Sequence, residues 1–332
     1  MSETTPRVVV VLCSWRGTAH LVAQLDSIAA QTHPVVVHVH DDASGDGTAE
    51  LARRHPAVAR TFAHANNVGH VANFERGLIE ALSSGATHVA FADQDDCWHP
   101  ERVARGMQAM KALEDRHGTS MPLLVHSDLT MVDAAGNPLE SSFLAWRGYS
   151  TSRSRNVATM LGQCGVMGNT CLVNRSLAAL SLPFPKDLHV HDWWFGLLAE
   201  LHGARDLLPE ALVHYRIHAG NASNSRDALD GGAGRGSLGR LLARDFRLPF
   251  MEDSRRHVIE TLLEGDERRR VSDPEVRRLL ERFLAYLCLD GPRTILLYRL
   301  LADGLLKRSR RTRARVAAAL LLTRRYDSPE RR

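Results

Sequence analysis

Three times in the first hundred residues a strand-like apolar run stops at a polar loop, and this rhythm restricts the fold more than any other feature of the chain. Val8-Val9-Val10-Val11-Leu12 runs into Ser14-Trp15-Arg16-Gly17, Val35 to His40 into Asp41-Asp42-Ala43-Ser44-Gly45-Asp46-Gly47-Thr48, and His88 to Ala92 into Asp93-Gln94-Asp95-Asp96. Unbroken β-branched runs suit strands covered on both faces, as in a parallel sheet. Leu21, Leu25 and Ile28, spaced by four and three, mark a helix after the first strand. Further helices are predicted near Ala49 and from about Asn73 to Leu82, with an edge strand around Ala59 to Ala63. Strands alternating with helices give a right-handed, Rossmann-like, mostly parallel α/β sheet flanked by helices, whose ligands bind beyond the carboxyl ends of the strands.

Past Pro100 the pattern predicts a helix over about Glu101 to Asp115, a strand from Leu123 to Asp128, a hairpin turn over Val132 to Asn137, a helix ending near His202 and a short last strand, Leu212 to His218. From Ala219 to Arg240 the chain turns to Gly, Asn, Ser and Asp. This divides it into an α/β domain over 1–224, a flexible Gly-rich linker or lid over 225–240 and a helical, basic C-terminal extension over 241–332. Helices are expected there over Leu241 to Leu263, Pro274 to Leu289 and Pro292 to Leu322.

Composition narrows the class. With 332 residues, 44% hydrophobic and 24% charged, the chain can bury a sizeable core and is neither disordered nor fibrous. Five cysteines without a C-x-x-C pair argue against a disulfide framework and a zinc ribbon. No run reaches the ~20 apolar residues of a membrane span, and the first residues lack a secretory pattern, so a cytoplasmic location is expected. The net charge of +4 conceals a division: residues 293–332 hold twelve Lys and Arg against three carboxylates, a net +9, which leaves −5 for the preceding part.

Three carboxylates within Asp93-Gln94-Asp95-Asp96 repel one another unless a cation lies among them. A hard divalent ion, Mg²⁺ or Mn²⁺, is the natural one and brings phosphate oxygens with it; a solvated acidic turn is the alternative. Asp42 to Gly47 resembles the start of a calcium loop, but Arg53 stands where the loop needs its bidentate Glu. A carboxylate at that strand end suits a ribose or base edge, or an Asx-turn capping the next helix. His191-Asp192-Trp193-Trp194 sets a carboxylate beside two large rings, which taken alone fits a capping Asp with two core tryptophans better than a general base with a sugar or base platform. In His214-Tyr215-Arg216-Ile217-His218, Arg216 could clamp a diphosphate and His218 could complete a metal shell.

Together these motifs resemble the family 2 glycosyltransferases of GT-A fold, and in particular their bacterial rhamnosyltransferase-like branch. The opening Ser14-Trp15-Arg16-Gly17 with Gln24 to Ile28, the Asp41 to Thr48 loop, Asp93-Gln94-Asp95-Asp96-Cys97-Trp98 with Pro100, Gly168-Asn169-Thr170, Pro183-Phe184-Pro185, His191 to Trp194 and Tyr215-Arg216-x-His218 follow that order over about residues 7 to 224. Arg16 departs from a usual Asn, Gln163 from a frequent Asn, and the processive Gln-x-x-Arg-Trp signature is absent, which implies one sugar per encounter.

The resemblance implies that Ser14 and Trp15 lie along the nucleotide base, that Asp42 holds base or ribose, that Asp93 lies near the ribose and that Asp95 ligates the metal. Asp96 would sit behind the metal or against the donor sugar, Arg216 and His218 at the diphosphate and metal, and Asp192 would be the catalytic base. Asn169, Thr170, His191, Trp193 and Trp194 would line the sugar and acceptor cleft. The expected reaction is an inverting transfer of rhamnose or a hexose from a dTDP- or UDP-linked donor to a hydroxyl of a glycan or lipid-linked acceptor. A metal-dependent nucleotidyltransferase or phosphatase and an inactive nucleotide- or glycan-binding scaffold are the other classes. No nucleic acid partner is expected. The basic tail, with apolar runs among its arginines, is expected to dock on the inner face of the plasma membrane, or else to form a solvated helix face or partner-binding arm.

Overall fold

The structure, a computed structural model, describes residues 6–147, 149, 157–162, 165–218, 221 and 253–288. The expected lid over 225–240, Gln163, Cys164 and the tail from 289 onward lie outside the described residues. Strand β1 (Val8–Ser14) is buried along its whole length, and its alternating side chains feed two separate cores. Val9, Val11 and Cys13 join one and Val8, Val10 and Leu12 the other, as period-2 geometry requires of a central strand.

Helix α1 (Leu21–Ala29), strand β2 (Val36–Asp41), helix α2 (Thr48–Arg54), strand β3 (Val58–Ala63), helix α3 (His70–Ser83) and strand β4 (His88–Asp93) follow as the alternation predicts. Strands β3, β2, β1 and β4 are parallel neighbours. Ser14 pairs with Asp41, and Cys13 with both His40 and Asp93, so all three polar loops leave one edge of the sheet side by side.

The second half widens and curls the sheet. Strand β5 (Cys97–Trp98), helix α4 (Arg102–His117), strands β6 (Leu123–Val132) and β7 (Pro138–Glu140), short helices α5 (Phe143–Arg147) and α6 (Val157–Gly162), the 3-10 turn Gly168–Thr170, strand β8 (Leu172–Asn174), helices α7 (Arg175–Ser181) and α8 (His191–His202), and strand β9 (Ala204–Arg216) complete it. The order is β3-β2-β1-β4-β8-β6-β9-β5 with β7 on β6. Antiparallel β8 separates β4 from β6, while β9 lies parallel to β6, so the sheet is mixed with six strands in one direction.

Strand β9 is far longer than the sequence suggests. Pro209 hides its first half, and the register against β6 jumps from Leu208 to Ala211 there, a bulge that removes Pro209 from the hydrogen-bonded ladder. Two further helices, α9 (Asp253–Glu264) and α10 (Pro274–Leu287), belong to the expected C-terminal extension. Helix α10 begins where the sequence says: Asp273 caps the N–H groups of Glu275 and Val276, with Pro274 at the first helical position. These helices are not an appendage, because Val258, Ile259, Leu262, Leu280, Phe283 and Tyr286 are buried in the same core as Val9, Val11 and Trp193.

Candidate active site

The loops at the carboxyl ends of β1, β2 and β4 hold one another through side chain to backbone bonds. Asp41 accepts from the Ser14 and Ser44 hydroxyls and the Ser44 N–H, and the Ser44 hydroxyl in turn accepts the Arg16 N–H at 2.8 Å. Gln94 carries the tie to β4: its Oε1 accepts the Trp15 N–H at 2.8 Å and its Nε2 donates to the Trp15 carbonyl at 2.9 Å. Gly17 is required beside this bridge, since a Cβ there would fall 2.3 Å from Gln94 Oε1. The Trp15 ring stays 49% exposed at the rim, with the Arg16 guanidinium 4.8 Å from its centroid. Gln94 received no role from the sequence, although it lies inside the acidic motif.

Asp42 differs from its expected place along a base or ribose. It is buried, and its two oxygens accept the N–H groups of Val68 and Gly69 at 2.8 and 2.9 Å, so it organises the loop between β3 and α3. Arg216 differs likewise. Its guanidinium donates to the carbonyls of Asp95 and Ala134 and reaches Cys97 Sγ, which fastens the acidic turn and the 133–136 hairpin to the end of β9.

The acidic turn after β4 meets the residues that follow β9. His218, 123 residues from Asp95, lies with its Nε2 2.8 Å from Asp95 Oδ2. His20, from the loop before α1, packs its ring 4.9 Å from that of His218, and burial with the neighbouring His218 and Arg216 lowers its pKa. Asp96 accepts from Asn169 Nδ2 at 2.5 Å and from the Arg216 N–H, and burial beside Asp95 and Asp93 pushes its carboxyl well up. Burial, then Asp95 and Asp192, push Asp93 to about 7. Arg102, buried under the Trp98 ring at 3.6 Å, braces this wall by donating to the Asn169 carbonyl at 2.8 Å.

Among the described residues no three His, Cys, Asp or Glu side chains converge as a metal cage. The donor set fits a hard cation nonetheless. Asp95 and His218 offer an oxygen and a nitrogen, Mg²⁺ and Mn²⁺ are usually held by one or two carboxylates plus phosphate and water, and the crowded acidic groups gain from any cation among them.

Asp192 stands in the first turn of α8, where the helix dipole favours its charge. It accepts from its neighbour Trp193 N–H at 2.6 Å and from Gly168 N–H at 3.1 Å. Burial outweighs these bonds and the field of Arg255, and its pKa rises to about 6. The rings beside it do not line a cleft. Trp193 and Trp194 are buried, with indole N–H groups on the carbonyls of Met160 and Ser181. His191 packs among Phe74, Phe91 and Phe195, and burial lowers its pKa to about 3. A helix this apolar on every side faces the core, which is the structural alternative the motif allowed. Thr170 is also buried, bonded back to the Met167 carbonyl.

The family model described as Glycosyl transferase family 2 matches residues 9–118, which hold β1 to α4 and the acidic cluster. No curated protein matches the chain. Among solved structures, S. aureus TarS 1-349 in complex with UDP-GlcNAc superposes with a TM-score of 0.55 at 15% identity, covering 87% of this chain and 74% of that one. The TarS 1-349 complex with UDP gives 0.50 at 17% identity, covering 88% and 91%. Against the longer TarS chain the TM-score is 0.54 at 16% identity, and this protein spans 44% of its length. The chain thus has the fold of the GT-A glycosyltransferases, and its residues 9–118 match the model of the family 2 glycosyl transferases.

Proposed function

We propose that the protein transfers a sugar from a nucleoside diphosphate sugar to an acceptor hydroxyl with inversion at the anomeric carbon. The observation that carries this reading is the convergence of Asp93, the Asp95–His218 pair and Asp192 beyond the strand ends, from three separate stretches of chain. Asp192 takes the acceptor proton as the hydroxyl oxygen bonds to the anomeric carbon, and the bond from that carbon to the diphosphate oxygen breaks with its electrons leaving on the diphosphate. Asp95 and His218 would hold Mg²⁺ or Mn²⁺, which supplies positive charge to the leaving diphosphate when bound. Trp15 offers its exposed ring to the base, and Ser14, Asp41 and Gln94 fix the loop that carries it.

The donor is a UDP- or dTDP-linked hexose or rhamnose. The UDP-GlcNAc complex of TarS, on the same fold, supports the uridine choice, and the sequence resemblance supports rhamnose. The acceptor is a glycan or lipid-linked hydroxyl. A thermal-shift panel of UDP, dTDP and GDP with and without Mn²⁺ tests the reading: one nucleotide should stabilise strongly, and only with metal. Absence of any metal-dependent shift overturns it. With the matching donor, release of nucleoside diphosphate is expected; pyrophosphate or inorganic phosphate would identify a nucleotidyltransferase or phosphatase.

A further inference from the structure

Arg255 belongs to α9, more than a hundred residues beyond the family 2 segment, yet it is buried inside the α/β body. Its Nη1 donates to the Leu161 carbonyl at 3.1 Å, at the carboxyl end of α6, where a cation suits the helix dipole. Its guanidinium lies 4.5 Å from the centroid of Trp193, whose indole N–H donates to the adjacent Met160 carbonyl. One arginine therefore joins α6, α9 and the first turn of α8, the turn that carries Asp192. A buried guanidinium is retained where a planar, permanent cation is needed, since burying it has a large desolvation cost.

We infer that Arg255 is a positioning residue for the transfer reaction, holding Trp193 and the first turn of α8 in place and keeping a positive charge beside the Asp192 carboxylate. The inference rests on Asp192 being the base. Among the described residues, the groups that face Asp192 include Asp93 from β4, the Gly168 N–H from the 3-10 turn, the Trp193 N–H of its own helix and Arg255 from α9. Only Arg255 among them is a cation. Removing it withdraws attraction from the ionised carboxylate, so Asp192 binds its proton more tightly and needs a higher pH to act as a base.

The test is a titration of the ligand-free protein carrying ¹³C-carboxyl aspartate, with the Asp192 resonance assigned by its loss in Asp192→Asn. Its midpoint should move up by about one unit or more in Arg255→Gln. Arg255→Met keeps an aliphatic stem over Trp193, gives a second uncharged variant should the first fail to fold, and should move the midpoint equally. Arg255→Lys keeps the charge and should leave it near wild type. With the donor found by thermal shift, the acid limb of turnover should move with the midpoint, so for a one-unit shift the uncharged variants lose about fivefold near pH 6 and little near pH 8.5. A midpoint unchanged in the folded uncharged variants, or a turnover loss equal at every pH, overturns the inference. Wild-type turnover in Asp192→Asn overturns the base assignment instead, so the two failures are distinguishable.

Discussion

Asp192 and Trp193 are adjacent in sequence and opposite in placement: the carboxylate meets the acidic cluster, while the ring goes into the core. Two predictions separate them. Asp192→Asn should lower turnover by about a hundredfold or more, the usual contribution of a positioned base, with the melting temperature nearly unchanged. Because burial raises this acid to about 6, the wild-type rate should climb with pH through that value and level off above it, as a pH-rate profile would show. Trp193→Phe should instead lower stability by about 1–3 kcal/mol in urea unfolding, because the Met160 carbonyl loses its donor and a void opens, while KM for the donor stays unchanged. A raised KM at full stability would mean that Trp193 contacts substrate after all. The sequence shows which residue types gather near a site but not where each side chain points. In the sequence Asp93, Asp95 and Asp96 stand out because like charges so placed demand a partner, and Asp192 because it is a carboxylate beside two large rings. Asp42 and Arg216 stand in motifs of their own, and only the structure shows them bonded to backbone groups.

Elements were legible where one periodicity dominates. Strands β1, β2 and β4 are apolar enough on both faces to be read directly, and α10 announces itself with Asp273-Pro274. Strand β9 was only half visible because Pro209 imitates a loop, and β5 and β8, two and three residues long, fall below any pattern. The docking of α9 and α10 was illegible for a different reason. Their apolar stripes specify that they must pack, but not against what, and the composition break before them suggested separation. Two buried arginines show the docking in detail. Arg255 lies over Trp193, and Arg269 donates to the carbonyls of Leu182 and Pro183 below Trp194. A shared core has a measurable consequence. Leu262→Ala, in a fully buried position of α9, should cost about 2–5 kcal/mol. Tryptophan fluorescence and circular dichroism should then report a single transition shifted together. Fluorescence left at the wild-type midpoint while part of the helical signal melts early would show that the helical pair folds separately.

At the scale of the molecule, charge is separated along the chain. The α/β body gathers Asp93, Asp95, Asp96 and Asp192 near one another beyond the strand ends, whereas residues 293–332 carry a net +9. Among the described residues no helix is long and apolar enough to cross a membrane. We propose that the tail draws the enzyme to an anionic lipid surface, where a lipid-linked acceptor would be presented to the cleft. Each Lys or Arg near such a surface contributes about 1 kcal/mol, so the six cations from Lys307 to Arg315 suffice for reversible binding without insertion. Vesicles with and without an anionic phospholipid, in flotation with the full chain, test this. Binding should require the anionic lipid, fall as salt shortens the screening length, and be lost when Lys307, Arg308, Arg310, Arg311, Arg313 and Arg315 are changed to Gln. Nucleotide-dependent thermal stabilisation should survive that change, because the six positions lie outside the cleft built by residues 14–218. Flotation that persists in the neutralised chain would mean that a different surface binds lipid, and the tail would then have to be read as a partner-binding arm.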